Sequence, residues 1–167
     1  MALTKLNNQS LTAVTSAGIP TLASTNMPTG SVLQVVSAIN SSGNQIEIAT
    51  TTETDIITLN ITPKSTSSKI LVTFSGGEWG YYDGAVYQAY INMYRDSTAI
   101  MKLRHSNRAS EGNELSGGAS LVYMDSPSTT SQITYRIKAN TNTGNSVLIT
   151  RSDDSSRITL TAMEIAG

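Results

Sequence analysis

The chain has 167 residues, enough for one domain or one domain with an appendage, and 11 Lys and Arg against 12 Asp and Glu give a net charge of −1. That balance lacks the basic footprint of a nucleic-acid binder, and no apolar run approaches the ~20 residues that cross a bilayer, so neither nucleic acid nor membrane insertion is expected. There are no cysteines, which removes disulfides, a thiol nucleophile and thiolate metal sites. Ser and Thr supply 23 residues each and Asn and Gly 12 each, while charged residues are only 14%. This is a strand-and-turn composition without long helical windows. No cofactor is implied.

The first thirty residues stand apart. No charged residue occurs between Lys5 and Glu47, and Pro20 and Pro28 interrupt any long element. Leu3, Leu6, Leu11, Val14, Ile19 and Leu22 are scattered through Ser, Thr, Asn and Ala. The segment has neither the charge nor the apolar poverty of a solvated tail. Residues 1–30 therefore read as an extended arm that anchors on a partner, and residues 31–167 as the head domain. The N-terminus lacks the continuous apolar stretch of a secretory signal, so synthesis in a cytoplasm is expected.

From Ser31 onward the pattern has period two, broken by turn chemistry. Strands are predicted over 32–39, 45–50, 56–62 and 69–75. A glycine-aromatic loop, 76–84, leads into a long strand over 85–95, and Asp96-Ser97 turns it back into 98–104. A polar stretch, 105–118, precedes strands over 119–124, 132–139, 146–150 and 157–165. Eight to ten short strands without a convincing helix predict an all-β, antiparallel two-sheet sandwich, expected as a jelly roll.

Several stretches carry a resemblance. The opening Met1-Ala-Leu-Thr-Lys-Leu6, the run Met27-Pro-Thr-Gly-Ser-Val-Leu-Gln-Val-Val36, Ile61-Thr-Pro-Lys-Ser-Thr-Ser-Ser-Lys-Ile-Leu-Val72, Tyr94-Arg-Asp-Ser-Thr-Ala-Ile100 and Ile158-Thr-Leu-Thr-Ala-Met-Glu-Ile165 resemble small virion structural proteins of marine tailed bacteriophages. The resemblance implies a non-enzymatic particle component, a fibre or capsid-decoration knob, often trimeric, on the virion surface and made in the host cytoplasm. It implies a second virion protein (capsid, portal or tail) as partner of the arm. Segments 76–84 and 105–118 depart most from the shared pattern, as recognition loops would.

Catalytic readings are weak by comparison. His105 is the only histidine and is flanked by Arg104 and Arg108; a surface loop residue fits better than a triad base or a metal ligand. The acids Glu78 with Asp83, Glu111 with Glu114, and Asp153 with Asp154 lie in turns or polar loops, where carboxylates commonly bond local backbone. The cations Lys102, Arg104 and Arg108 read as interface rim.

The informative group is aromatic: Trp79, Tyr81, Tyr82, Tyr87, Tyr90 and Tyr94 are six of the nine aromatics and fall within sixteen residues. Tyr87, Tyr90 and Tyr94 lie on a strand with apolar residues on both faces, which predicts a homotrimer contact, against the alternative that they pack beneath a loop of the same chain. Trp79, Tyr81 and Tyr82, with Glu78 and Asp83 as acceptors, leave three options open: packing on the chain's own sandwich, on a neighbouring subunit, or on a host glycan, which would make the chain a carbohydrate-binding module.

Overall fold

The computed structural model describes residues 27–40, 46–81, 86–108, 115–142, 146–149 and 157–167. These residues form ten strands: β1 (Val32–Asn40), β2 (Ile46–Ile48), β3 (Thr54–Ile61), β4 (Lys69–Tyr81), β5 (Val86–Arg95), β6 (Thr98–Arg108), β7 (Leu115–Asp125), β8 (Ile133–Thr141), β9 (Val147–Ile149) and β10 (Ile158–Ile165). The arm residues Leu3, Leu6, Leu11, Val14, Ile19 and Leu22 lie outside the described residues, as do Tyr82, Asp83, Glu111, Glu114, Asp153 and Asp154.

Every pairing is antiparallel. Sheet I is built on β1-β10-β4-β7, and sheet II on β3-β8-β5-β6. With the short β2 and β9 set aside, the eight remaining strands run 1-8-3-6 in one sheet and 2-7-4-5 in the other. That is the interleaving of a jelly roll, and the chain is an all-β two-sheet sandwich of that kind. The small β2–β9 pair extends sheet I where β10 ends, with Ile149 opposite Trp79 on β4.

Alternation explains the core. On β4, Ile70, Val72 and Phe74 point inward; on β8, Ile133, Tyr135, Ile137 and Ala139; on β10, Ile158, Leu160 and Ala162. All are buried between the sheets, where each large side chain contributes about 1.5–3 kcal/mol by leaving water. Two polar pins lock the ends. Asp125 accepts the Arg95 guanidinium at 2.8 Å, the Ser126 amide at 2.9 Å and the Tyr135 hydroxyl at 2.7 Å, joining β7 of sheet I to β5 and β8 of sheet II. Fully buried Glu164 accepts the Lys64 amide at 2.7 Å and the Gln34 side-chain amide, fastening β1 and β10 to the β3–β4 connection.

All ten predicted strands form, and two segments read as loops are partly strand. The glycine-aromatic stretch is one: β4 continues through Tyr81, with a register shift between Ser75 and Glu78. Gly76 and Gly77 make a bulge, Gly77 having φ of 65°. A Cβ at Gly76 would stand 2.7 Å from the Trp79 indole nitrogen and 2.9 Å from the Ala119 carbonyl, so only glycine lets the indole cross there. The polar stretch is the other, because 105–108 extend β6 and 115–118 begin β7. Long-range pairing overrides the loop-like local text in both places. The Asp96-Ser97 turn is as predicted; Asp96 adopts φ of 53° and its carboxylate accepts the Thr134 amide at 2.9 Å.

Candidate functional site

The sandwich presents two outer faces with different chemistry. On sheet II, the register sets Tyr94, Arg136 and Thr58 in one cross-strand row, Lys102, Asn92, Lys138 and Asp55 in a second, and Arg104, Tyr90 and Asn140 in a third. The polar heads are partnered locally. Glu53 accepts the Asn92 amide and the Tyr94 hydroxyl, each at 2.6 Å. Tyr90 donates to Gln88 at 3.2 Å. Lys102 stands 4.5 Å over the Tyr90 ring, and Lys138 5.1 Å over the Tyr94 ring, an attraction between ammonium and π-face. The hydrogen bond to Glu53 raises the Tyr94 pKa, with burial and the carboxylate's charge adding to it. A concavity of about 370 Å³ lies among Tyr94, Asp96, Ser97, Arg136 and Lys138. The Arg136 Nε is buried there without a hydrogen-bond partner.

On sheet I the outer face is uncharged over most of its width. One row crosses four strands in register: Val35 on β1, Met163 on β10, Leu71 on β4 and Met124 on β7. Beside it runs the row Ser37, Thr161, Thr73 and Val122, and beyond that Ile39, Thr159, Ser75 and Ser120. Val32 and Ile165 flank the first row on its other side, next to Lys69, the one ionisable residue among these positions. The exposed large hydrophobics of the described residues are Val32, Val35, Ile39, Val122 and Met124, at 46% to 61% exposure, and all five lie on this face. Apolar side chains grouped in this way mark a contact surface.

The residues singled out in the sequence are distributed differently from expectation. Trp79 is fully buried in the chain's own core, and its indole donates to the Gly76 carbonyl at 2.9 Å. A ring without exposed surface cannot stack on a sugar, so the first of the three options holds for Trp79. Glu78 is half-buried on β4 opposite Gly118, and Tyr81 ends that strand opposite Leu115. Tyr90 and Tyr94 are half-buried on the outer face of sheet II, while Tyr87 lies on β5 opposite Asn107. His105 sits on β6 opposite Ala89. Among the described residues, no three His, Asp or Glu side chains converge as a metal site would require.

The apolar stripe of sheet I is what the sequence reading missed. Its signal was present in Ile70-Leu-Val72 and Leu121-Val-Tyr-Met124, where apolar residues occupy consecutive rather than alternate positions. Consecutive apolar residues on a strand need cover on both sides.

No family model matches the chain, and no curated protein matches it. Similar solved structures come from infectious bursal disease virus. The VP2 subviral particle aligns with 14% identity and a TM-score of 0.44, over 80% of this chain and 33% of that one. The T13 viral particle gives 12% identity and 0.42, over 80% and 36%, and the Gx strain 14% and 0.41, over 80% and 32%. This chain spans about a third of the length of those proteins. At such TM-scores the likeness carries no functional argument.

Proposed function

We propose that the chain is a non-enzymatic structural protein of a virion surface: a jelly-roll head attached to the particle through its N-terminal arm and assembled with further copies of itself. The observation that carries this reading is the two-sidedness of the head. Sheet I offers an outer face of aliphatic, Met, Ser and Thr side chains, fitted to be covered. Sheet II offers lysines, arginines and hydrogen-bonded tyrosines, fitted to remain in water. A head of this kind is covered on one sheet within an assembly and displays the other. The resemblance of the arm and strand motifs to phage virion proteins agrees with it, and so does the jelly roll, a fold that virion proteins share with lectins.

The self-contact assigned in the sequence to Tyr87, Tyr90 and Tyr94 is better placed on sheet I, since Tyr90 and Tyr94 already have local partners and cationic neighbours. A homotrimer is the expected assembly, and fibre and capsid-decoration positions are both compatible with an arm and a knob. Gold-labelled antibody against the recombinant head, applied to intact particles of the virus encoding this chain, tests the proposal. Regular labelling of capsid, vertex or tail is the expected result. A protein found in infected cells but absent from purified particles would overturn it.

A further inference from the structure

This deepens that reading by making the arm's partner a second copy of the chain, through which each head is held in the assembly: we propose that residues 1–26 of one copy bind across the outer face of sheet I of a neighbouring copy. Three observations support this. The first is chemical match. The face is an apolar stripe bordered by hydroxyls, with Lys69 as its ionisable residue. The segment carries Leu3, Leu6, Leu11, Val14, Ile19 and Leu22 among Ser, Thr and Asn, and no charge after Lys5. Aliphatic side chains would cover the stripe, and hydroxyl and amide groups would meet the Ser37–Thr161–Thr73 row, without any buried charge to neutralise.

The second is where the segment joins the head. Gly30 donates to the Ala166 carbonyl at 2.8 Å, and the Pro28 carbonyl accepts the Ser31 amide at 3.0 Å, closing a turn at the mouth of β1. Met27 lines a cavity of about 170 Å³ with Ser65, Ser67 and Ser68 of the connection between the two sheets. Residues 27–30 thus stand at the end of the sandwich, beside the connection between the sheets, a point of attachment from which a neighbour's face can be met. The third is reach. Twenty-six residues at about 3.3 Å each extend up to roughly 86 Å, whereas four strands at about 4.8 Å spacing present only about 14 Å of width. Each copy then gives one arm and receives one. Such a heterologous contact closes into a ring when the rotation between copies is a whole fraction of a turn, and the expected trimer is the ring of three.

The test uses the purified full chain without particles. Copies carrying a photo-crosslinking amino acid at Leu11 or Ile19 are mixed with isotope-labelled copies, irradiated, and digested. The expected product joins the arm of one copy to the peptide spanning residues 109–136 of the other, which includes Val122 and Met124. Val122→Lys with Met124→Lys changes two exposed positions, so melting temperature should hold while the crosslink disappears and self-association weakens at least tenfold. Leu11→Asp with Ile19→Asp should weaken it equally. Crosslinks confined to one copy, crosslinks to sheet II, or none would overturn the proposal, as would association that survives the arm substitutions, which would mean that the faces pair with each other. Absence of the protein from particles would sink the virion reading and leave this contact standing.

Discussion

Two neighbouring aromatic stretches, one around Trp79 and one around Tyr90 and Tyr94, look alike in sequence and have opposite fates. Trp79 is sealed between the sheets, donating to the carbonyl of a glycine that makes room for it. Tyr90 and Tyr94 lie on the outer face of sheet II, each beneath a lysine and each with its hydroxyl bonded to a nearby side chain. Aromatic density alone therefore indicates no binding site. The direction in which a strand turns the ring decides, and that is set by register and by bulges.

The contrast is most exposed to failure at Trp79. Trp79→Ala should cost about 3–5 kcal/mol through the lost transfer energy and the cavity left behind, read from denaturant midpoints. A variant that melts like the parent would mean that the ring is not core. Gly76→Ala comes next, since the new methyl meets the indole and the Ala119 carbonyl; about 1–3 kcal/mol of overpacking is expected in the same assay.

Alkaline pH separates the rings in another way, because tyrosines titrate and tryptophan does not. Burial, and then the hydrogen bond to Asp125, raise the Tyr135 pKa far above its ordinary value. Above about pH 10 the unfolded chain releases this proton while the folded chain keeps it, so the native state binds more protons and stability falls as pH rises. The slope should be about 1.4 kcal/mol per pH unit for this one group. Below pH 10 its contribution is fully present. Urea titrations between pH 8 and 11 should show that slope diminished in Tyr135→Phe; an unchanged slope would contradict the buried, protonated phenol.

On sheet II the expected effects are smaller. Glu53→Ala removes the acceptor shared by Asn92 and Tyr94 and should cost about 1 kcal/mol. Lys102→Ala removes an exposed cation from the Tyr90 ring and should cost about 0.5 kcal/mol at most. If either equals Trp79→Ala in effect, the division between core ring and surface ring is wrong.

Much of the architecture was legible in the sequence for a physical reason. Ile133, Tyr135 and Ile137 alternate with Thr134, Arg136 and Lys138, and that local pattern fixes which side is buried wherever one face meets water. The antiparallel two-sheet class also followed from many short strands without helices, whereas the order of strands within each sheet did not. The misreadings fell where local text and long-range pairing disagree. Gly76-Gly77 looks like a flexible loop, but pairing with β7 on both sides of the bulge holds it in a strand. Residues 105–108 and 115–118 are polar, yet they continue β6 and β7. The stripe on sheet I went unread because no single strand contains it. It exists only when Val35, Met163, Leu71 and Met124 are brought into one row.

That row also sets a timetable. β1 has β10 as its strand partner, and Gln34 and Glu164 are 130 residues apart along the chain. Synthesis at about 5–20 residues per second places roughly 7–26 s between their emergence from the ribosome. Pairing of such high contact order is slow to form even then. If residues 1–26 bind sheet I of a neighbour as proposed, a nascent chain displays its arm well before it owns the surface that receives one, and can be captured by finished copies while unable to capture in return. Assembly through that contact would acquire a direction in time, from completed heads toward newly made arms.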